Sequence, residues 1–149
     1  RRKNKPFLSR VYYTKNSLTG QNGNSDGKRR ILSVDDDPDI TFIVKAGLEA
    51  SGLFEVHTFN DPVVALSSFK LGLYDLALLD FRMPKMYGYE LYDEMKKIDS
   101  GLKICFMTAT YTKYEELRAA FPTIEIECYI QKPVQIKDLV RRVNAELEQ

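Results

Sequence analysis

Five short apolar runs alternate along this chain with longer segments in which apolar residues recur every three or four positions. Short apolar runs are typical of buried strands, and the wider spacing is typical of amphipathic helices. The predicted strands are residues 30–34, 54–59, 74–80, 103–108 and 125–130. The predicted helices run from Pro38 to the stop at Gly52, from Asn60 to Leu71, from Tyr89 to Ile98, from Thr112 to Phe121, and from Ile136 to Leu147.

The first and last of these helices carry clear apolar stripes. The stripe of the first helix consists of Ile40, Ile43, Val44, Gly47 and Leu48. The stripe of the last helix consists of Ile136, Leu139, Val140, Val143 and Leu147. Since each stripe covers one side of its helix, we expect both helices to pack against a sheet.

Regular alternation of strand and helix predicts an α/β fold with a parallel sheet covered on both faces. Right-handed crossovers restrict how five such units can be connected. The simplest solution is a doubly wound, flavodoxin-like (βα)5 sheet with the strand order 2-1-3-4-5.

The formal net charge of +1 hides a division of the 149 residues. Residues 1–30 contain nine Lys or Arg and one acidic residue, whereas the remainder is acidic. We therefore expect a basic, flexible leader at residues 1–28, with a Gly-rich linker at 19–27, followed by one globular domain at 29–149. The leader is either a solvated tail or a contact to nucleic acid, to an anionic surface or to the acidic domain itself.

Cys105 and Cys128 both lie in apolar strand-like runs, and we expect two buried free thiols rather than a disulfide. No run reaches the roughly 18 apolar residues of a membrane span, and the charged N-terminus is not a secretory signal. These features predict a cytoplasmic protein without membrane insertion.

Polar side chains gather where the predicted strands end. Asp35 and Asp36 follow the first strand, Asp80 ends the third, Thr108 ends the fourth, and Lys132 comes just after the fifth. In an open parallel sheet, ligands bind at the carboxyl ends of the strands. Carboxylates gathered there repel one another, so we expect a hard divalent cation between them.

This set of side chains suits phosphoryl transfer. A carboxylate can act as a nucleophile, a metal ion neutralises charge, and a Lys acts as a point charge on phosphoryl oxygens. The alternative for the acidic run is a turn that only caps the following helix. Asp80 and Lys132 in the same arrangement favour the phosphoryl-transfer interpretation.

Four motifs then resemble the CheY-like receiver domains of two-component response regulators, in the same order and at similar spacing. They are Ile31-Leu32-Ser33-Val34-Asp35-Asp36-Asp37-Pro38, then Leu78-Leu79-Asp80-Phe81-Arg82-Met83-Pro84 with Gly88, then Met107-Thr108-Ala109, and finally Lys132-Pro133. The resemblance covers about residues 29–149.

The resemblance implies that Asp80 is the phosphoacceptor. Asp36 would bind Mg²⁺ directly and Asp35 largely through water, with Asp80 and the backbone carbonyl of Arg82 as further ligands. Mn²⁺ would serve in place of Mg²⁺.

The resemblance also implies that Thr108, Ala109 and Lys132 contact the phosphoryl group. Thr108 and Tyr129 would form the switch that responds to it. Arg82 and Thr110, two positions after Asp80 and Thr108, would tune the lifetime of the phosphorylated state.

The implied function is a phosphorelay switch and not a metabolic enzyme, since the domain assists only its own phosphorylation and dephosphorylation. Its expected partners are a histidine kinase or phosphotransfer protein, a downstream protein target, and a second copy bound through the fourth helix, fifth strand and fifth helix. Nucleic acid is not expected. The alternatives are an aspartyl-nucleophile phosphatase, and a nucleic-acid-binding regulator that acts through the basic leader.

Overall fold

The computed structural model describes residues 27–109, 115, 118–119, 121–123 and 126–149. Its strands are β1 (Arg29–Val34), β2 (Phe54–Phe59), β3 (Leu76–Asp80), β4 (Lys103–Thr108) and β5 (Cys128–Gln131). Its helices are α1 (Pro38–Ala50), α2 (Pro62–Ser68), α3 (Gly88–Ile98) and α4 (Ile136–Leu147). The basic leader up to residue 26, Thr110 and most of the helix predicted from 112 to 121 lie outside the described residues.

The five strands form one parallel sheet in the order β2-β1-β3-β4-β5, which confirms the predicted topology. Helices α1 and α4 cover one face of this sheet, and α2 and α3 cover the other. Alternate residues of each strand point to opposite faces, so the sheet separates two apolar cores. Within the described part of the chain, no helix is both long enough and apolar enough to cross a bilayer.

Helix α1 buries a slightly different stripe from the predicted one. Its buried residues are Thr41, Val44 and Leu48, whereas Ile43 is half exposed. Gly47 faces α4, where a β-carbon would lie 2.5 Å from a side-chain carbon of Ile136. Helices α1 and α4 therefore approach each other closely at this position, where α1 has no side chain.

Helix α2 is shorter than predicted. It ends at Ser68 because Phe69 adopts an extended backbone conformation, which places its ring in the core and stacks it on Tyr74 at 6.2 Å between ring centres. Strand β3 likewise begins at Leu76 rather than Tyr74. Strand β5 begins at Cys128, since that is where its pairing with β4 starts.

Cys105 and Cys128 form a disulfide bond, so the prediction of two free thiols is wrong. The two residues are direct partners in the β4–β5 register, with their Cα atoms 4.5 Å apart. This separation lies within the range that a disulfide can bridge. The sequence showed that both cysteines lie in strands, but only the register of the sheet places them opposite each other.

Candidate functional site

Three carboxylates meet at the carboxyl edge of the sheet. Asp35 and Asp36 follow β1, and Asp80 is the last residue of the neighbouring strand β3. Each offers one oxygen atom, and these atoms all lie within 4.8 Å of one another. Asp35 and Asp80 are buried, while Asp36 is exposed to solvent. Oxygen donors at this spacing are suited to a hard divalent cation.

The side chain of Asp35 is held through both of its oxygens. Its Oδ1 accepts a hydrogen bond from the backbone N–H of Asp37 at 2.9 Å, and its Oδ2 accepts one from the ammonium group of Lys132. Its backbone N–H bonds the carbonyl of Phe59 on β2 at 3.1 Å. The direction of this carboxylate is therefore fixed before any ligand arrives.

Lys132 reaches the carboxylates from the end of β5. The peptide bond before Pro133 is cis, and the backbone N–H of Lys132 donates to the carbonyl of Thr108 at 2.8 Å. Its Nζ pairs with both Asp35 and Asp80, at 3.2 Å from Oδ1 of Asp80. Burial alone would lower the pKa of Lys132, but its bonds to Asp35 and Asp80 outweigh burial and raise that pKa.

The three carboxylates and Lys132 together carry a net negative charge at a partly buried site. With Asp35, Asp36 and Asp80 ionised, the one ammonium group of Lys132 leaves two negative charges at the rim. Burial, reinforced by Asp35 and opposed by Lys132, raises the pKa of Asp80 to about 6. A divalent cation would balance this charge, so the donor set fits Mg²⁺ in both chemistry and charge.

The loop after β3 packs closely against Asp80. The backbone N–H of Gly88 donates to the carbonyl of Phe81 at 2.9 Å, and Phe81 in turn donates to Met107 at 3.2 Å. A β-carbon at Gly88 would lie 2.2 Å from the backbone oxygen of Asp80, which no side chain can tolerate. The turn includes Lys85 at φ +71° and presents Arg82 to solvent.

Of the remaining predicted residues, the structure describes Thr108, Ala109 and Tyr129 on or directly after β4 and β5. Thr108 ends β4 in a buried position, and Ala109 follows it on the surface. Tyr129 is half buried on β5, opposite Phe106 in the register, and its burial raises the pKa of its hydroxyl. Thr110 lies outside the described residues, so its role stays a prediction.

Two residues after β2 also reach this rim, although the sequence suggested only that they begin a helix. Asn60 donates from Nδ2 to the backbone carbonyl of Asp35 at 2.8 Å. Asp61 accepts a hydrogen bond from Nζ of Lys85, in the loop after β3. The signal that would have found them is their position at the end of a strand beside β1 in the predicted strand order.

A family model for the response regulator receiver domain matches residues 31–144. The chain belongs to the response-regulator receiver domain family. Among curated relatives of this receiver domain, the transcriptional regulatory protein RprY of Bacteroides fragilis is 31% identical over 122 residues. That match covers 82% of this chain and 50% of RprY, so the chain spans about half the length of this relative.

Solved structures agree with the assignment. A CheY-like receiver domain protein from Methanospirillum hungatei is 31% identical to this receiver domain, with a TM-score of 0.71. The superposition covers 81% of this chain and 94% of that one. The response regulator TrrA from Thermotoga maritima, solved in complex with Mg²⁺ and BeF, is 32% identical with a TM-score of 0.68 and covers 79% of this chain and 98% of its own.

Proposed function

We propose that this receiver domain is a phosphoacceptor switch in which Asp80 receives a phosphoryl group from a histidine of a partner kinase or phosphotransfer protein. The observation that carries the proposal is the meeting of Asp80 with Asp35, Asp36 and Lys132 at one edge of the sheet. The family assignment supports phosphorylation-based signalling, and the TrrA structure supports the chemistry of the site.

Asp35, Asp36, Asp80 and the backbone carbonyl of Arg82 would hold Mg²⁺, or Mn²⁺ in its place. When bound, the ion neutralises the charge that builds up between a carboxylate nucleophile and an anionic phosphoryl group. Asp36 is the most accessible of the three carboxylates and would bind the ion directly, whereas Asp35 is already engaged by Lys132.

The side chains of the domain perform the transfer mainly by position and charge. An oxygen of Asp80 attacks phosphorus, the P–N bond to the donor imidazole breaks, and the imidazole leaves with its electron pair and takes up a proton. Lys132 already contacts Asp80 and pairs with the phosphoryl oxygens as they arrive. The oxygen atoms of Asp80 lie in a partly desolvated place, where such charge pairs are stronger than in water.

Phosphorylation adds roughly 1.5 to 2 negative charges next to the end of β4. Thr108 and Ala109 would contact the new oxygens, Tyr129 would reorient as Thr108 moves, and Arg82 and Thr110 would set how long the phosphoryl group lasts. The change would alter the face made by β5, α4 and the segment between β4 and β5. A downstream protein or a second copy would read that face.

The rival functions have less support. An aspartyl phosphatase of the haloacid-dehalogenase type requires a second Asp two positions after the nucleophile, and the exposed Arg82 occupies that position here. The basic leader, which would carry nucleic-acid binding, lies outside the described residues. We therefore propose a switch that catalyses only its own phosphorylation and dephosphorylation.

We also propose a cytoplasmic location, because the expected donor is a kinase that uses ATP. The Cys105–Cys128 disulfide is uncommon in a reducing compartment. The location therefore stays a prediction, and it is independent of the geometry at Asp80.

The direct test is incubation with acetyl phosphate and Mg²⁺, followed by intact-mass measurement. We expect wild-type protein to gain the mass of one phosphoryl group, and Asp80→Asn to gain none. Asp36→Asn should slow the reaction strongly because it removes a metal ligand.

The matched control is Asp37→Asn, which changes the neighbouring exposed carboxylate that caps α1 rather than one at the metal site. It should react at nearly the wild-type rate. A wild-type chain that stays unmodified, or an equal loss of rate in Asp36→Asn and Asp37→Asn, would count against the proposed function.

A further inference from the structure

The turn between β2 and α2 contacts both of the loops that supply ligands, although none of its residues belongs to the predicted ligand set. This turn consists of Asn60 and Asp61. It follows the strand beside β1, and it lies at the same edge of the sheet as the three carboxylates.

Asn60 holds the turn after β1. Its Nδ2 group donates two hydrogen bonds, one to the backbone carbonyl of Asp35 at 2.8 Å and one to Oγ1 of Thr41 at 2.9 Å. Thr41 is buried and donates from the same hydroxyl to the carbonyl of Pro38 at 3.2 Å. One amide therefore joins the end of β1 to the first turn of α1, on either side of Asp36.

Asp61 holds the loop after β3. Its Oδ1 accepts from the backbone N–H of Val63 at 2.9 Å and so caps α2, while its Oδ2 pairs with Nζ of Lys85 at 2.5 Å. The bond from Lys85 lowers the pKa of Asp61. Lys85 has a φ of +71°, so this contact meets the loop at a residue whose backbone lies in the left-handed region.

Together the two contacts link loops that electrostatic repulsion drives apart. Without a bound metal ion, Lys132 offsets only one of the three negative charges of Asp35, Asp36 and Asp80, so the remaining repulsion favours a wider separation. Mg²⁺ requires nearly ideal octahedral geometry, with oxygen ligands at about 2.0–2.1 Å. A turn that fixes the distance between the two loops therefore reduces the reorganisation that binding requires.

We propose that Asn60 and Asp61 form a clamp that sets the spacing of the two ligand-bearing loops and thereby determines the affinity of the site for Mg²⁺. The inference rests on the proposed function, because it takes Asp35, Asp36 and Asp80 as the metal ligands. Asn60 and Asp61 are positioning residues, since they act through the backbone of Asp35 and through Lys85 rather than on the ion.

The test is a Mg²⁺ titration without any phosphodonor at constant ionic strength. The rise of the thermal unfolding temperature with Mg²⁺ concentration gives the dissociation constant for Mg²⁺ of each variant. Asn60→Ala should weaken Mg²⁺ binding by about tenfold, as loss of a residue that orients metal ligands commonly does. Lys85→Ala should weaken it by about threefold, because its ion pair with Asp61 is more exposed. Lys85→Arg should restore most of the loss.

Two matched controls lie away from the site. Asn144→Ala removes a partly buried Asn of α4 that donates to Glu148, the residue that caps this helix, and Lys97→Ala removes an exposed ion pair with Glu94 in α3. Both variants should keep the wild-type dissociation constant for Mg²⁺. With acetyl phosphate, Asn60→Ala should need more Mg²⁺ for half-maximal phosphorylation but reach the wild-type rate at saturation, which a general loss of folding would not produce.

The outcomes separate the two proposals. If wild-type protein shows no Mg²⁺-dependent stabilisation, the metal site and the proposed function both fail. If wild-type protein binds Mg²⁺ and Asn60→Ala binds it within twofold, the clamp is wrong and the proposed function stands. A lower unfolding temperature of Asn60→Ala with an unchanged dissociation constant for Mg²⁺ would also overturn the clamp.

Discussion

The two loops that carry the candidate ligands do the same task but are held in different ways. The turn after β1, residues 35–37, is fixed by hydrogen bonds to its own backbone, to Asn60 and to Lys132. The loop after β3, residues 81–87, is held by the close packing of Gly88 on Asp80 and by the exposed pair of Lys85 with Asp61.

The turn after β1 is therefore held mainly by charged and polar contacts, and the loop after β3 mainly by close packing. The turn after β1 depends on polar partners, and its buried carboxylate needs the cation of Lys132. The loop after β3 depends on the absence of a side chain at Gly88, and it leaves Arg82 in solvent. We therefore expect the first loop to respond to changes of charge and metal, and the second to respond to changes of volume.

The largest effect should come from Lys132→Ala, which removes the cation shared by Asp35 and Asp80. In metal-free buffer at pH 7 we expect the free energy of unfolding to fall by about 3 kcal/mol, because two buried carboxylates lose their partner. Added Mg²⁺ should recover more stability in this variant than in wild type, since the ion no longer competes with the ammonium group. Chemical denaturation with and without Mg²⁺ measures both quantities.

Lys137→Ala is the control, because Lys137 is an exposed lysine on α4. It should leave the unfolding free energy and the Mg²⁺ response nearly unchanged. If Mg²⁺ raised the unfolding free energy equally in wild type and in Lys132→Ala, the turn after β1 would not depend on the charge of Lys132.

The next effect should come from Gly88→Ala, which places a β-carbon against the backbone of Asp80. Backbone atoms cannot move aside as a side chain does, so we expect a loss of about 2 to 3 kcal/mol in unfolding free energy. Gly47→Ala meets only the side chain of Ile136 and gains helix propensity, so it should cost clearly less. Thermal or urea unfolding measures both losses. A larger loss of unfolding free energy in Gly47→Ala than in Gly88→Ala would contradict the role of close packing at Gly88.

The smallest effect, and one of opposite sign, should come from Asp80→Asn. The pKa of Asp80 is raised to about 6 by burial, so the ionised form costs stability at pH 7. The variant should be more stable than wild type by about 2 kcal/mol in metal-free buffer. This advantage should shrink as the pH falls through 6 toward 4, because the wild-type carboxyl then becomes neutral.

Urea unfolding at pH 7 and at pH 4.5 gives the comparison for Asp80→Asn. Asp37→Asn serves as the exposed control and should show no comparable gain at pH 7. A stability advantage of Asp80→Asn that stays constant between the two pH values would contradict the raised pKa.

Much of the fold could be predicted because it follows from local patterns. The alternation of apolar runs and stripes gave five strands and their order, and the strand ends gave Asp35, Asp80 and Lys132 as neighbours. Errors arose where a long-range contact decided the outcome. Phe69 ends its helix and packs in the core against Tyr74, and α1 buries Thr41, which was not part of the predicted stripe, while Ile43 is half exposed.

By itself, the sequence determined the layer architecture and the types of chemical group at the rim, because periodicity and strand ends are properties of local order along the chain. Only the tertiary structure decided which groups touch. It paired Cys105 with Cys128 and joined the turn at Asn60 and Asp61 to both ligand loops. These contacts depend on strand register and loop packing, which involve residues far apart in the chain.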